Sequence, residues 1–234
     1  MKLRRNLFLP LGVAAFLAAM VIMAPRIIRQ IVIAHLAGNL QIFLGADWLN
    51  DYSEHLEEIP LLLWPARVIL LTALILHVVT AVWLTVENRK ARPIPYTAKD
   101  TVQASLASRT MIFTGLAVAL FIMIHLRHFT WGGINPQFFE LTDPKGREDI
   151  YSMVILNFQS PLISGGYVLA LFILSMHLGH GSSSFLQTLG LTREPLLKKM
   201  KMAGVILGWL IFLGFASIPT ASLLGILKPL QGGR

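Results

Sequence analysis

The chain alternates between long apolar runs and short polar connections, and five of the runs are long enough to cross a bilayer. They extend roughly from Ala24 to Leu44, Pro60 to Val86, Leu106 to Thr130, Pro161 to Leu178 and Met202 to Leu224. A hydrocarbon core about 30 Å thick takes about 20 apolar residues of helix at 1.5 Å per residue. Backbone polar groups inside lipid must be satisfied within the segment, so runs of this length take the helical form. The pattern predicts an all-α, polytopic membrane protein: a bundle of five transmembrane helices, with neighbours antiparallel because the connections are short. Residues 1–234 read as one transmembrane domain, without a soluble domain, internal repeat or low-complexity segment.

One further apolar stretch, Leu7 to Met23, precedes Pro25, Arg26 and Arg29. Residues 1–23 are an apolar extension that either lengthens the first helix, with a kink near Pro25, or adds a sixth span. A sixth span would carry the basic N-terminus outside, against the charge rule, and the longer first helix is preferred. No clear small-residue cleavage site precedes the arginines, so a removed signal peptide is not expected.

Composition narrows the chemistry. With 55% hydrophobic and 14% charged residues, the chain is too apolar for a soluble domain of its size. The absence of cysteine excludes thiolate-held iron–sulfur clusters, disulfides, thioether-linked haem and a cysteine nucleophile within this chain. A net charge of +8 could suit nucleic acid, but the basic residues fall in short loops between apolar runs. Membrane lipid explains them better, and no nucleic-acid partner is expected. Lys2, Arg4 and Arg5, then Arg89, Lys90, Arg92 and Lys99, then Arg193, Lys198, Lys199 and Lys201 all fall on one side. That side is predicted to be cytoplasmic, placing the N-terminus inside and the C-terminus outside. The opposite connections hold Asp47, Asp51, Glu54, Glu57 and Glu58, and Glu140, Asp143, Glu148 and Asp149, read for the most part as solvated acids.

Four histidines stand one in each of four predicted spans: His35, His77, His125 and His177. An ionisable ring in a bilayer is costly and usually functional. The first and third helices run outward and the second and fourth inward, and each histidine falls late in its helix. His35 and His125 therefore share an outer level, and His77 and His177 an inner one. Two pairs at two depths are what two stacked bis-histidine haems require. Any one of these rings alone could simply hydrogen-bond to a neighbouring helix. His128 and His180 follow His125 and His177 by three residues, on adjoining faces. They are read as groups supporting a ligand or lining a quinone pocket, and His55 as an exposed loop residue. Gly166 precedes His177 by eleven residues, about 16 Å along the helix, and so lies at the outer level. Gly115, ten residues before His125, lies by the same reasoning at the inner level. Both positions fit a porphyrin resting against the helix, and both equally fit close helix packing.

The segments HLAGNLQIFLGADWLNDYSEHL from His35, SRTMIFTGLAVALFIMIHLRHF from Ser108 and MHLGHGSSSFLQTLGL from Met176 resemble the cytochrome b subunit of bacterial succinate dehydrogenase and fumarate reductase, in its single-chain, five-helix, di-haem form. The likeness runs from about Ile33 to the C-terminus. It implies that His35 with His125 and His77 with His177 are the axial ligands of two haems b. It also implies a bacterial cytoplasmic membrane, a flavoprotein partner with FAD, an iron–sulfur partner and quinone as substrate. The dicarboxylate chemistry of complex II, part of the tricarboxylic acid cycle, would then lie on the flavoprotein. Where this chain departs from the family is the start of the first helix, at Pro25, Arg26 and Arg29. Arg29 and Arg109 could each pair with a haem propionate or act as boundary anchors. Ser108 and Arg109 on the inner side, and Glu57 on the outer side, are candidates for contact with quinone, as His180 is for the inner haem. Two other functions use the same histidines: a haem b anchor of another quinone-linked oxidoreductase, and a haem-free anchor with a histidine proton path.

Overall fold

A computed structural model describes residues 28, 30–91, 106–188 and 194–230. Among them all regular structure is helical, apart from one isolated bridge between Thr142 and Glu148. The first helix, α1 (Gln30–Leu44), is apolar but short, and tightens into a 3-10 turn over Leu40–Leu44. It is followed by α2 (Ala46–Glu57), α3 (Pro60–Lys90), α4 (Leu106–Phe129), α5 (Ile150–Phe158), α6 (Pro161–Thr188) and α7 (Glu194–Leu223).

Four of these helices, α3, α4, α6 and α7, are long and apolar enough to cross a membrane. The first predicted span, from Ala24, is described only from Gln30 onward, apart from Ile28. The apolar stretch Leu7 to Met23, Arg26 and Arg29 lie outside the described residues. Helix ends also differ from the hydropathy boundaries: α6 continues past Leu178 to Thr188, and α7 begins at Glu194 rather than Met202. An apolar window marks where hydrocarbon would begin, whereas helix hydrogen bonding continues into polar residues that water can solvate. Helix α3 begins with Pro60 at its first position, where the missing N–H leaves no bond unmade. Large apolar side chains such as Leu61, Trp64, Leu162 and Leu213 point away from the bundle. In a bilayer that surface meets lipid; in water it would drive aggregation.

The connections at one end of the bundle form a folded cap. Helices α2 and α5, the 3-10 turn Pro136–Phe138 and residues 224–230 gather where α1, α4 and α7 finish and α3 and α6 begin. Here lies the buried hydrophobic core, including Ile42, Leu49, Ile155, Phe158, Tyr167 and Ile218. The cap corrects the expectation that its acids are solvated, since Asp143 and Asp149 are both buried. Asp143 is paired with Arg147, while Asp149 accepts hydrogen bonds through Oδ1 and its Oδ2 is buried without a partner. Asn50 donates from Nδ2 to Asp143 (3.3 Å) and Asp149 (3.2 Å), and its Oδ1 accepts from the Tyr151 N–H (3.0 Å). The Arg147 guanidinium bridges Asp143, Asp51 and Asp47, tying the long connection to α2. Asp149 also caps α5 by accepting from the Ser152 N–H at 3.0 Å. Hydrogen bonds from Lys145 and Arg147 hold the Asp47 carboxyl below its ordinary pKa. Burial raises the Tyr151 phenol. Glu54, Glu57, Glu58, Glu140 and Glu148 do stay exposed. His55 is exposed as well, but on α2 rather than in a loop.

Helices α6 and α7 share the most extensive helix interface, and glycine permits it. A Cβ at Gly204 would stand 2.5 Å from the Gly179 carbonyl oxygen, and one at Gly208 would stand 2.6 Å from that of Ser175. Only a residue without a side chain lets the two backbones meet this closely.

Candidate functional site

The four span histidines meet as two pairs. The His35 and His125 rings lie with centroids 5.9 Å apart and planes crossed at 80°; those of His77 and His177 lie 6.3 Å apart, crossed at 85°. The pairs occupy different levels. His125 stands one turn from the end of α4 that enters the cap, with His35 of α1 beside it, whereas His77 and His177 lie beyond the midpoints of α3 and α6, counted from the cap.

Each pair has the separation that a metal ion between two imidazoles would demand. With a metal–nitrogen bond of about 2 Å, and each ring centre roughly 1 Å behind its nitrogen, two axial rings stand about 6 Å apart. Among the described residues, no cluster of three or more His, Cys, Asp or Glu could hold a metal ion. A bare transition metal taking three or four protein ligands finds no such set among the described residues. A metal that brought its other ligands with it would need only two protein donors, which is the number each pair offers. The residues present fit haem b, held by nitrogen alone.

The surroundings of the rings differ between levels. His177 Nδ1 lies 3.2 Å from the Thr114 hydroxyl, which itself bonds back to the Met111 carbonyl at 3.1 Å. If that hydroxyl donates to the carbonyl, it accepts from Nδ1–H and leaves Nε2 to ligate. Gly115, next in sequence, faces the same ring, and a Cβ there would stand 3.1 Å from His177 Cε1. At the cap-side pair, Asn39 Nδ2 donates to the His35 carbonyl at 2.8 Å and stands 3.3 Å from its Nδ1. His125 Nδ1 is buried without a hydrogen-bond partner. Aromatic rings pack around it instead: Phe121 at 5.9 Å, Phe129 at 5.7 Å and Tyr167 at 6.1 Å between centroids. Phe215 of α7 approaches His35 at 5.7 Å.

The remaining candidates scatter. Gly166 faces open space, where a Cβ would meet nothing within 4 Å. Ser108 and Arg109 are exposed in the first turn of α4, away from the cap, while Glu57 is exposed on α2 within it. Ser108 and Arg109 thus lie at the opposite end of the bundle from Glu57, and the three cannot line one pocket. His180 Nε2 lies 3.1 Å from the Ser184 hydroxyl one turn on. Arg29 lies outside the described residues. His128 is fully buried and hydrogen-bonded through both nitrogens, to Tyr167 (3.0 Å) and Asn157 (2.8 Å). Sequence reasoning missed Thr114, Tyr167 and Asn157. Thr114 stands 63 positions before its histidine and Asn157 29 after its own, separations at which no periodicity connects them. Arg89, Lys90, Lys198, Lys199 and Lys201 form an exposed basic rim at the end away from the cap. No family model, curated protein or solved structure matches this chain.

Proposed function

We propose that this chain is the di-haem cytochrome b subunit of a succinate:quinone oxidoreductase, anchoring complex II in a bacterial cytoplasmic membrane and relaying electrons between its iron–sulfur subunit and quinone. The observation that carries the reading is the pairing of His35 with His125 and of His77 with His177 at two levels of one bundle. The first pair holds an outer haem b and the second an inner one. Haem b held there by His35 with His125 and by His77 with His177 would supply reversible one-electron chemistry at iron.

The chain's own residues provide position and insulation. Thr114 orients His177; Gly115 and Gly166 give a porphyrin room against α4 and α6; and Arg109, Arg29 and His180 supply polar partners at the inner margin. Quinone meets the protein at Ser108 and Arg109 or, on the cap side, at Glu57. The first helix, extended upstream of Gln30, completes five spans, with the N-terminus cytoplasmic, the C-terminus and cap outside, and the basic rim inside. An iron–sulfur subunit docks on that rim, Lys198, Lys199 and Lys201, and beyond it lies the flavoprotein with FAD.

Purification from native membranes in mild detergent tests the proposal. A flavoprotein and an iron–sulfur protein are expected to copurify, and added succinate should reduce the haem band. Hydrogenase or formate dehydrogenase subunits in their place would assign the anchor to another quinone-linked enzyme. A haem band unresponsive to succinate and to quinol would overturn the relay.

A further inference from the structure

The most buried histidine of the chain belongs to neither pair. His128 is 1% exposed, on α4 three residues beyond His125. Its hydrogen bonds can be given direction. Asn157 Nδ2 donates to the Met153 carbonyl at 2.9 Å, so its Oδ1 is the acceptor; it takes Asn135 Nδ2 at 2.8 Å and His128 Nε2 at 2.8 Å. His128 Nε2 therefore carries hydrogen, and Nδ1 of the neutral ring accepts from the Tyr167 hydroxyl at 3.0 Å. Both nitrogens are committed, which removes His128 as an alternative ligand. The network joins α4, the connection after it, α5 and α6 through one ring.

What this achieves lies next door. A ligating histidine is ordinarily aimed by a hydrogen bond on its second nitrogen, yet His125 Nδ1 is buried with no partner. Its orientation must come from packing. Tyr167, pinned through its hydroxyl to His128, sets its ring against His125 at 6.1 Å and against Phe121 at 5.3 Å, both edge to face. Phe129 lies over His128 at 4.1 Å and reaches His125 at 5.7 Å. We infer that His128, acting through Tyr167 and Phe129, is the positioning residue for His125, replacing with packing the hydrogen bond that Thr114 accepts from His177. This rests on the haem reading proposed above.

The test uses the assembled complex, with haem counted first and the inner haem as internal control. Tyr167→Phe keeps the ring and removes the pin. His128→Leu removes both hydrogen bonds, and His128→Gln restores one donor and one acceptor. The expected result is retention of two haems, with an altered low-spin resonance signal and about a tenfold change in the reduction equilibrium, 59 mV for one electron, at the outer haem only. His128→Gln should lie nearer the wild type than His128→Leu. The outer signal is assigned as the one surviving in His77→Ala. If His128→Leu fails to assemble, Tyr167→Phe decides alone. An unchanged outer haem in Tyr167→Phe, or equal shifts in both haems, overturns the inference while leaving the haem reading intact. A wild-type protein without haem overturns both.

Discussion

The two ends of the bundle are built on different principles. The cap end contains hydrophobic core, a buried Asn–Asp–Arg cluster and the His128 network, whose aromatic neighbours pack on His125, much as in a soluble protein. At the far end, His77 and His177 depend on Thr114, on Gly115 and on glycine-mediated contact between α6 and α7, beneath a rim of exposed lysines and arginines. The lesson is that one geometry of paired histidines can be held in two ways. Near water the protein can bury polar networks against a folded cap; within lipid, where water competes little, close backbone approach and single hydrogen bonds position the side chains.

That contrast can be broken one end at a time. The largest effect is expected from His125→Ala, which should remove the outer haem and leave the inner, halving haem per chain, with His77→Ala giving the converse. Loss of both haems in either variant would mean that the two ends are not independent. Next, Arg147→Met leaves the buried Asp143 carboxylate without its cation, a loss of about 3 kcal/mol. Thermal unfolding in detergent should show lower stability, with haem lost first from the outer site; simultaneous loss would contradict a separately built cap.

Thr114→Val is nearly isosteric and removes only the hydroxyl at His177, worth about 1 kcal/mol. The inner haem's spectrum should shift while the outer stays fixed, which resonance spectroscopy of the variant would read. The smallest effect concerns pH. Lys145 and Arg147 depress the Asp47 pKa, so the stabilisation they give is complete above the ordinary carboxyl value of about 3.9 and fades only as pH falls through the lower folded value. Protease resistance of the cap should be flat from neutral pH to about 5 and decline below about 4. Asp47→Asn should flatten part of that decline; an unchanged acid profile would mean that Asp47 plays no part in it.

Hydropathy alone revealed α3, α4, α6 and α7, because a membrane span needs only length and apolarity. It could not reveal α2 and α5, whose burial depends on partners distant in sequence: Asn50 with Asp143 and Asp149, and Arg147 with Asp47 and Asp51. The histidine pairs were legible because antiparallel helices convert sequence position into depth. Which nitrogen of His177 is engaged by the protein was not, since that depends on Thr114 reaching it across a helix interface. The difference between His125 and His128 was also hidden. Both lie in the motif HLRH, and only the position of Asn157 and Tyr167 in space separates a ring with an unpartnered nitrogen from one with both nitrogens bonded.

The central claim is that each histidine pair grips one iron porphyrin, and counting haem tests it most directly. Pyridine haemochrome analysis of the purified full-length chain, set against its protein concentration, should return two haems b per chain. A value of zero, or of one that neither His35→Ala nor His77→Ala lowers, would contradict the account.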